Sequence, residues 1–538
     1  MAIGTQLRRA KLSDHYDVIV IGSGIGGLTT AACLAKAGKK VLVLERHYTA
    51  GGFTHTYERK GFEWDVGVHY IGEVHRKGST LRRVFDYISD EQLQWAEMDG
   101  IYDRIYIGSE SFDYVKGEKQ FRDRMVGYFP AEKNAIEQYL KLVKKVHRSS
   151  SAYYLERALP PWLGKIFFKK LTRRFSDFAE KTTEEVLLTL TKNRKLIAVL
   201  TGQWGDYGLP PSQSSFAMHA LVANHYMGGA AYPVGGSSSI ASTIESVIVK
   251  YGGQVITCAE VQSILTRNSK ATGVELSNGL EIKAKSIVSG VGAINTFQKL
   301  LSGDVAEKFK LPQKLRQVNP SLAHMDLYIG LKGTREDLDL HTTNLWIYPN
   351  ENVDLNIQEF NPKPNFDFPA MFISFPSTKD PLWETNHPGK STIEIIVPTP
   401  FAWFEKWQDT KWQKRGAEYS QFKKDMTERL LAILLDRFPH LKDKIQYVEL
   451  SSPLSTAHFT GHRKGEMYGL DHSPQRFQQR WLRTDTPVKN LYLTGQDIVS
   501  CGVSGGLCAG VLTAIRVLGP IRSFRLIKLM KTKSALSN

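Results

Sequence analysis

The fold is decided by residues 16–45, which read YDVIVIGSGIGGLTTAACLAKAGKKVLVLE. The β-branched run 16–21 is typical of a buried parallel strand, and the small-residue stretch 28–38 predicts a helix that stops at a glycine. A second apolar run, 40–44, predicts the next strand, with Glu45 at its carboxyl end. Strand, glycine-rich turn, helix and strand in this order predict a Rossmann-type unit with a parallel sheet, in the α/β class.

Each of the three spaced glycines of this unit stands where the backbone geometry requires a residue without a side chain. Gly22 permits the tight turn, Gly24 lets the backbone approach a diphosphate, and Gly27 lets the helix pack against the strand. The start of the helix offers free N–H groups and a favourable dipole to an anion. Glu45 lies close to the spacing of about 20 residues expected of a carboxylate that binds ribose hydroxyls. The pattern therefore predicts a bound dinucleotide and leaves NAD and FAD open.

Two motifs further along separate these cofactors. Residues 46–52 read RHYTAGG and residues 65–70 read DVGVHY. Together with the glycine-rich turn, they resemble the flavoproteins of the phytoene desaturase, amine oxidase and Rab GDP-dissociation-inhibitor superfamily. The resemblance implies that Arg46, Gly51 and Gly52 wrap an FAD and that the second motif runs near the flavin. No histidine or cysteine lies in a recognised flavin-attachment context, so we expect the FAD to be held without a covalent link.

The end of the chain completes the same cofactor site. Residues 490–497 (NLYLTGQD) predict a strand that ends in a glycine and an acid, and residues 501–506 (CGVSGG) open a helix that runs to about Leu518. In the resembling families the acid of such a segment bonds a ribityl hydroxyl, and the backbone of a valine in the middle of the chain lies against the adenine. The residues that the resemblance assigns here are Val261, Gly495, Asp497, Gly502 and Val503.

Segments between these motifs narrow the resemblance to one branch. Residues 215–238, 377–392 and 402–407 are similar to the corresponding stretches of the all-trans-retinol 13,14-reductase (retinol saturase) family, and the resemblance covers nearly everything from Asp14 to about Leu518. It implies that reduced FAD delivers a hydride to one carbon-carbon double bond of a retinoid such as all-trans-retinol. A carotenoid desaturase or isomerase that uses the same flavin on a longer polyene, and a non-catalytic prenyl- or lipid-binding escort protein, stay open as alternatives.

The second alkene carbon needs a proton, and three residues are candidates for its donor. His69 and Tyr70 follow the turn that the resemblance places near the flavin, and Tyr226 is the third candidate. A second glycine turn, 290–292, lacks the third glycine and the following acid of a nicotinamide-binding domain. We therefore expect no second Rossmann domain, and the sequence leaves the external reductant undefined.

The chain of 538 residues has room for about two to four structural units, and its flavin motifs come from three separate stretches. We interpret the intervening residues as an inserted α+β substrate and cap domain, rich in aromatic side chains that form either core or substrate chamber. The expected division is 14–85, 226–305 and 484–520 for the FAD-binding domain, 86–225 for a cap insertion with membrane contact, 306–483 for the substrate domain, and 521–538 for a basic tail.

Several function classes are excluded by what the sequence lacks. The four cysteines are scattered, without the CxxC spacing of a zinc site, so we expect no metal centre. The net charge of +16 comes without any zinc-finger or RNA-recognition signature, so we expect no nucleic-acid partner. No run of 18 apolar residues is present, which argues against a helix that spans a membrane. The sequence also does not contain a recognisable secretory signal.

The positive charge instead has a membrane interpretation. The stretch from Trp162 to Phe175 interleaves aromatic and aliphatic side chains with five cations, and the tail repeats this pattern. Such a composition is typical of a helix that lies in a membrane interface. We expect a peripheral membrane protein, on the cytoplasmic side or on the endoplasmic reticulum of a eukaryotic cell, with Trp162–Phe175 opening toward the substrate chamber. A core helix with a solvated basic face is the alternative.

Overall fold

The computed structural model describes residues 2–532, with all side chains except those of Pro161, Trp162, Lys165, Arg525, Leu529, Lys531 and Thr532. The predicted membrane contacts of Trp162 and Lys165, those of Arg525, Leu529 and Lys531, and those of the tail from Lys533 onward lie outside the described residues. The other expectations fall on described parts of the chain.

The first layer of the molecule is an eight-stranded sheet that uses both ends and the middle of the chain. His15–Ile21 runs parallel to Val41–Leu44 on one side and to Glu281–Ser289 on the other. This arrangement confirms the predicted α/β class and its Rossmann-type sheet. In spatial order the strands are Thr5–Gln6, Gln254–Thr257, Val41–Leu44, His15–Ile21, Glu281–Ser289, Lys270–Leu276 and Val261–Arg267, and Leu491–Leu493 also pairs with Glu281–Ser289.

The glycine-loop helix, Ile25–Lys36, packs closely on this sheet because its side chains are small. Its residues 26–35 are all buried. A Cβ atom at Gly27 would lie 2.2 Å from the carbonyl oxygen of Gly22, so only glycine fits there. The Cβ atom that Gly26 lacks would lie 2.8 Å from the Cα of Gly495, which brings the carboxyl-terminal motif onto the same helix. Two motifs far apart in sequence therefore meet at one helix start.

A second sheet of seven strands joins the two insertions. Ile101–Ile107 pairs in parallel with Asn344–Tyr348. The segments expected as separate units, 86–225 and 306–483, therefore share one substrate-domain sheet, because strands of both pair edge to edge within it. In spatial order the strands are Ile445–Ser451, Ala323–Lys332, Lys390–Thr399, Met371–Ser374, Asn344–Tyr348, Ile101–Ile107 and Glu110–Val115.

Two smaller sheets connect these layers, and helices cover both. The smaller sheets are Ile71–Gly72, Ala230–Pro233 and Trp95–Glu97, and the hairpin Thr56–Arg59 with Phe62–Asp65. The longer helices besides the glycine-loop helix are Thr80–Ile88, Glu118–Tyr128, Lys133–Ala158, Pro161–Ala179, Arg194–Leu200, Phe216–Tyr226, Ser238–Lys250, Val353–Phe360, Ala417–Arg437, Pro453–Thr460 and Gly502–Thr532. The shorter ones are Leu7–Arg9, Gly52–Thr54, Pro130–Glu132, Thr183–Leu187, Trp204–Asp206, Ala293–Asn295, Thr296–Leu300, Gly303–Lys308, Leu311–Leu315, Pro376–Lys379, Trp383–Asn386, Phe401–Trp407, Pro439–Lys444 and Pro474–Gln478.

The last helix is interrupted where its sequence predicts an end. Gly519 has φ 74° and ψ 176°, which separates Gly502–Leu518 from a tail helix that continues to Thr532. Among the described residues, the stretch Gly502–Phe524 is long and apolar enough to cross a membrane by length and composition. Its first half packs on the glycine-loop helix through Gly506 and Gly510, so this half belongs to the core of the FAD-binding domain.

The predicted basic-aromatic helix exists and has two unlike faces. It spans Pro161–Ala179 and packs on the helix Lys133–Ala158, where the ring of Phe175 is fully buried and stacks 4.4 Å from that of Tyr153. On the outer face Ile166 and Phe167 are 67% and 44% exposed. The described cations of this outer face are Lys169, Lys170, Arg173 and Arg174.

Candidate active site

One cavity of about 1320 Å³ runs from the glycine-rich turn to the substrate domain. This exceeds the 300–1000 Å³ of ordinary ligand pockets, so it has room for a dinucleotide and a second molecule together. Except for Gly27 and Asp497, every site residue predicted from the sequence lines it. Those lining residues are Gly22, Gly24, Glu45, Arg46, Gly51, Gly52, His69, Tyr70, Tyr226, Val261, Gly495, Gly502 and Val503.

The glycine end of the cavity is shaped for a close-fitting anion. Gly24 is the N-cap of the glycine-loop helix, and a Cβ atom placed on it would meet nothing within 4 Å. The space in front of it is therefore open, at the helix end where free N–H groups point. Gly52, with φ 56°, closes the other side, because its Cβ atom would lie 3.0 Å from the Cα of Gly24. This end can hold a diphosphate against the backbone.

Glu45 joins the strand end to the glycine-rich turn. Its Oε2 atom accepts hydrogen bonds from the backbone N–H of Ser23 at 2.9 Å and from the Ser23 hydroxyl at 2.7 Å. Its Oε1 atom accepts from the backbone N–H of His47 at 2.8 Å. The carboxyl group is buried and still lines the cavity, so it holds the turn in shape and forms part of the wall at the glycine end.

Asp497 occupies a different place from the one expected. It is buried and does not line the cavity. Its Oδ1 atom accepts from the backbone N–H of Leu470 at 2.9 Å, and its Oδ2 atom accepts from that of Ala293 at 2.7 Å. The carboxylate thus ties three chain segments together behind the cavity, in contrast to the expected ribityl contact. The neighbouring Gly495 and Gln496 reach the cavity instead.

The far end of the cavity is aromatic. Tyr70 and Tyr226 stack with ring centroids 4.3 Å apart and an interplanar angle of 13°. Burial is the main cause that raises the pKa of both phenols above their ordinary value of 10. The Tyr70 hydroxyl lies 3.0 Å from Oδ2 of Asp103 and 3.1 Å from Oδ2 of Asp206. A buried carboxyl group, of Asp103, and a half-buried one, of Asp206, therefore meet at one of the predicted proton donors.

His69 belongs to a separate charged cluster beside this end. Its Nδ1 atom lies 2.8 Å from Oε2 of Glu394, but the angles are not those of a hydrogen bond. The other carboxyl oxygen of Glu394, Oε1, accepts a hydrogen bond from the backbone N–H of Asp65 at 2.7 Å. Burial lowers the pKa of His69 to about 4, so its ring is neutral at pH 7. Asp65, His69 and Glu394 are close enough to share a cation, and Lys379 already brings one positive charge to this place.

Lys379 is a buried lysine beside this cluster that the sequence motifs do not assign. Its Nζ atom donates to the carbonyl of His69 at 2.9 Å, to the side-chain oxygen of Asn344 at 2.5 Å and to the Ser374 hydroxyl at 2.8 Å. Burial is the main cause that lowers its pKa to about 8. It lies within the segment 377–392 that carries the family resemblance, which is the signal that could have identified it.

An apolar channel leads from the aromatic end to the surface. It is lined by residues of the helices Thr80–Ile88, Lys133–Ala158, Phe216–Tyr226 and Gly502–Thr532, among which Leu155 and Ile527 are 48% and 37% exposed. Polar side chains also line this part of the cavity, among them Glu73, Arg76, His147 and His225. No described residue of 163–175 lines it, so the basic-aromatic helix does not open into the chamber as expected. The apolar channel residues are Leu81, Val84, Leu155, Leu221, Val222, Val511, Leu512 and Ile527.

Most aromatic residues of the second insertion are core. Phe404 and Trp407 are buried in the apolar core of the substrate domain, and Trp383 is buried as well. Of the six aromatic residues Trp383, Phe401, Trp403, Phe404, Trp407 and Trp412, only Trp412 lines the cavity. The chamber walls come from the first insertion, from strands of the second insertion, and from the helix Pro453–Thr460 with the residues that follow it.

Comparison with known proteins agrees with this geometry. The family model for flavin containing amine oxidoreductases matches residues 25–318. A cyclohexylamine oxidase from Brevibacterium oxydans superposes with a TM-score of 0.58 at 15% identity, covering 96% of this chain and 99% of that one, and shows the same fold.

Three curated relatives cover nearly the whole chain. Homo sapiens all-trans-retinol 13,14-reductase is 39% identical over 94% of this chain and 86% of its own length. The Danio rerio protein of that name is 37% identical over 95% and 87%. A Danio rerio relative named inactive all-trans-retinol 13,14-reductase is 34% identical over 97% and 90%. The chain therefore belongs to the all-trans-retinol 13,14-reductase family of flavin oxidoreductases.

Proposed function

We propose that the chain binds FAD without a covalent link and reduces one carbon-carbon double bond of a retinoid such as all-trans-retinol. The observation that carries the proposal is the single cavity, which joins a glycine-lined nucleotide end to an aromatic and apolar end. A retinoid is an elongated apolar molecule with one polar end, and the channel offers it an apolar path. The names of the full-length relatives support the choice of substrate.

The residues at the glycine end fit FAD. Gly24 leaves open space for a diphosphate, Glu45 presents an acceptor for ribose, and Val261 lines the cavity where the adenine would lie. Cys501 also lines the cavity, and burial raises its pKa to about 12, so its thiol is a poor nucleophile for attachment to a flavin. These contacts support reversible binding.

Reduced FAD, when bound, supplies a hydride to one alkene carbon. The task of the chain is to hold the polyene in the aromatic end, to keep water away and to provide a proton for the other carbon. Tyr70 and Tyr226 line that end with parallel stacked rings, which suit a flat conjugated substrate. Their raised pKa values and the neutral ring of His69 make all three weak proton donors at pH 7.

Anaerobic turnover tests this function. The purified protein should be yellow, and acid denaturation should release its flavin into the supernatant. After chemical reduction with dithionite it should convert all-trans-retinol to a product two mass units heavier, while a lycopene-type polyene should be unchanged. Desaturated or isomerised lycopene would favour the carotenoid alternative. A colourless protein that binds retinol without converting it would be the non-catalytic escort.

A second part of the proposal places the protein on a membrane surface. Ile166 and Phe167 are exposed beside four described cations, and on the tail helix Ile521 and Phe524 are 87% and 73% exposed. Exposed apolar side chains flanked by cations suit the interface of an anionic bilayer. Because the partly exposed Ile527 of the same tail helix lines the cavity, this surface would let an apolar substrate enter from the lipid.

Vesicle sedimentation tests the membrane contact. The quadruple variant Lys169→Gln, Lys170→Gln, Arg173→Gln and Arg174→Gln should bind anionic vesicles less, because each cation contributes about 1 kcal/mol near such a surface. Ile166→Ser with Phe167→Ser should reduce binding even to neutral vesicles. The matched control replaces four exposed lysines on other elements, Lys411, Lys414, Lys424 and Lys442, with glutamine and should bind as the wild type does. Equal binding by all variants would assign this helix to a solvated face.

A further inference from the structure

The contacts of Tyr70 require one proton more than the phenol itself carries. A tyrosine hydroxyl has one hydrogen to donate and lone pairs to accept. Its oxygen lies within hydrogen-bond distance of two carboxyl oxygens, on Asp103 and on Asp206. If both carboxyl groups were ionised, one of the two contacts would set a phenol oxygen against a carboxylate oxygen with no hydrogen between them. One of the two carboxyl groups is therefore a carboxylic acid that donates to Tyr70.

The surroundings decide which carboxyl group carries the proton. Asp103 is fully buried and also accepts from the side-chain N–H of Gln203 at 2.7 Å and from that of Asn344 at 2.9 Å. Three donors around one carboxyl group stabilise its anion. Asp206 receives no second side-chain donor among the described residues. The hydrogen bonds thus run from the Asp206 acid to the Tyr70 oxygen, and from the Tyr70 O–H to the Asp103 carboxylate.

The position of Asp206 gives this acid access to a substrate. It lies in the helical turn Trp204–Asp206 and lines the cavity together with Tyr70, Tyr226 and Trp346. Asp103 does not line the cavity, which leaves it behind the tyrosine. An acid in an apolar pocket stays neutral at pH 7 and is a stronger proton donor than a buried phenol.

We propose that Asp206 is the proton donor of the reduction, with Tyr70 and Asp103 as the positioning residues that hold its carboxylic acid toward the substrate. The inference rests on the proposed alkene reduction. When the substrate binds, the O–H of Asp206 turns from the Tyr70 oxygen to the alkene. That O–H bond then breaks, a C–H bond forms at the alkene carbon that does not receive the hydride, and the former π electron pair becomes that bond. The hydride brings the two electrons that the reduction of the double bond requires. Asp206 is left as a carboxylate, which takes a proton from water before the next turnover.

Burial and the nearby Asp103 raise the pKa of Asp206 well above its ordinary value, which agrees with this assignment. The described titratable side chains that face Asp206 are Tyr70, Asp103, Tyr207, Tyr226, Tyr348, Tyr468 and Cys501. In their neutral forms none of the six phenol and thiol groups among them would compensate an Asp206 anion.

Single-turnover kinetics of the FAD-loaded protein test the proposal. In Asp206→Asn the dithionite-reduced protein should form saturated retinol about 10²–10⁴-fold more slowly, with flavin content and retinol binding unchanged. The wild-type rate should fall as the pH rises through the pKa of Asp206, and this dependence should be absent in the variant. Asp206→Glu keeps the acid and should recover part of the rate. The matched control is Asp354→Asn, which removes another partly buried carboxyl group outside the cavity and should react as the wild type does.

A readout without turnover separates this proposal from the proposed function. The infrared difference spectrum between the wild type and Asp206→Asn should contain the carbonyl band of one protonated carboxylic acid, because subtraction removes the bands of other buried acids such as Asp326 and Glu394. Asp354→Asn should retain the band that Asp206→Asn loses. Absence of that band would overturn the assignment, as would an Asp206→Asn rate within about threefold of the wild type. A rate lost in Tyr70→Phe and kept in Asp206→Asn would make Tyr70 the donor. A wild type that reduces no polyene while showing the band would refute the reductase and leave the protonated Asp206 established.

Discussion

Gly24→Ala should separate folding from cofactor binding. At this position the backbone has φ −60° and ψ 168°, which any residue adopts, and a Cβ atom would meet nothing within 4 Å. The added methyl group therefore strains no part of the protein itself. It does enter the space at the helix start where the cofactor diphosphate is expected. The variant should fold as the wild type does and bind FAD poorly.

The magnitudes follow from these two environments. Alanine is a poorer N-cap than glycine by several tenths of a kcal/mol. It also lowers the conformational entropy of the unfolded chain, which stabilises the folded protein by about 0.4–1 kcal/mol. The two effects oppose each other, so the net change in stability is close to zero. Forcing a methyl group into an occupied contact costs about 1–3 kcal/mol. That corresponds to a loss of FAD affinity of about 5- to 150-fold.

Two matched substitutions make the assay selective. Gly303→Ala also places its methyl group in open space, away from the cavity, and should change neither stability nor FAD content. Gly27→Ala places a Cβ atom 2.2 Å from the Gly22 carbonyl oxygen and should reduce folding itself. Thermal unfolding of the apoproteins and FAD retention during dialysis measure the two effects. Full FAD retention by Gly24→Ala would refute the expected approach of the diphosphate to this residue.

Three further substitutions test other parts of the structure. Glu45→Gln should lower FAD affinity by about 10- to 100-fold, because a charged acceptor contributes about 1.5–3 kcal/mol, and full flavin occupancy after dialysis would contradict its role. Phe175→Ala removes a fully buried ring and should lower the free energy of unfolding by about 3–5 kcal/mol in a denaturant titration, and an unchanged midpoint would show that this ring does not anchor its helix. The pKa of Lys379 is about 8 in the folded protein and 10.5 ordinarily. Between pH 8 and pH 10.5 the unfolded chain therefore binds more protons at this lysine than the folded protein does. Its contribution to the free energy of unfolding consequently increases as the pH rises. The unfolding free energy of the wild type relative to Lys379→Met should therefore increase by about 1–3 kcal/mol from pH 7.5 to 10, and a constant difference would argue against the lowered pKa.

The nucleotide end of the cavity could be predicted because its contacts are local. Gly22, Gly24, Gly27 and Glu45 lie within a single strand-helix-strand unit, and the backbone geometry of that unit fixes where each one points. The break at Gly519 was equally readable, since glycine ends helices. Asp497 shows the limit of such reasoning. Its motif placed it correctly at a strand end, but the segments of Leu470 and Ala293, which bind its carboxylate, come from elsewhere in the chain.

The sequence by itself determined the Rossmann-type unit, because short-range periodicity and glycine spacing specify it. The resemblance of further motifs to known flavoproteins identified the flavin site and the family. The tertiary structure alone decided the acid pair at Tyr70, the position of Lys379 and the mouth of the channel. Asp103 and Asn344 are direct partners across two strands from different insertions, and Asp206 approaches them from a separate helical turn. Residues so far apart meet only when the sheet of the substrate domain forms, and burial in that sheet then sets their protonation.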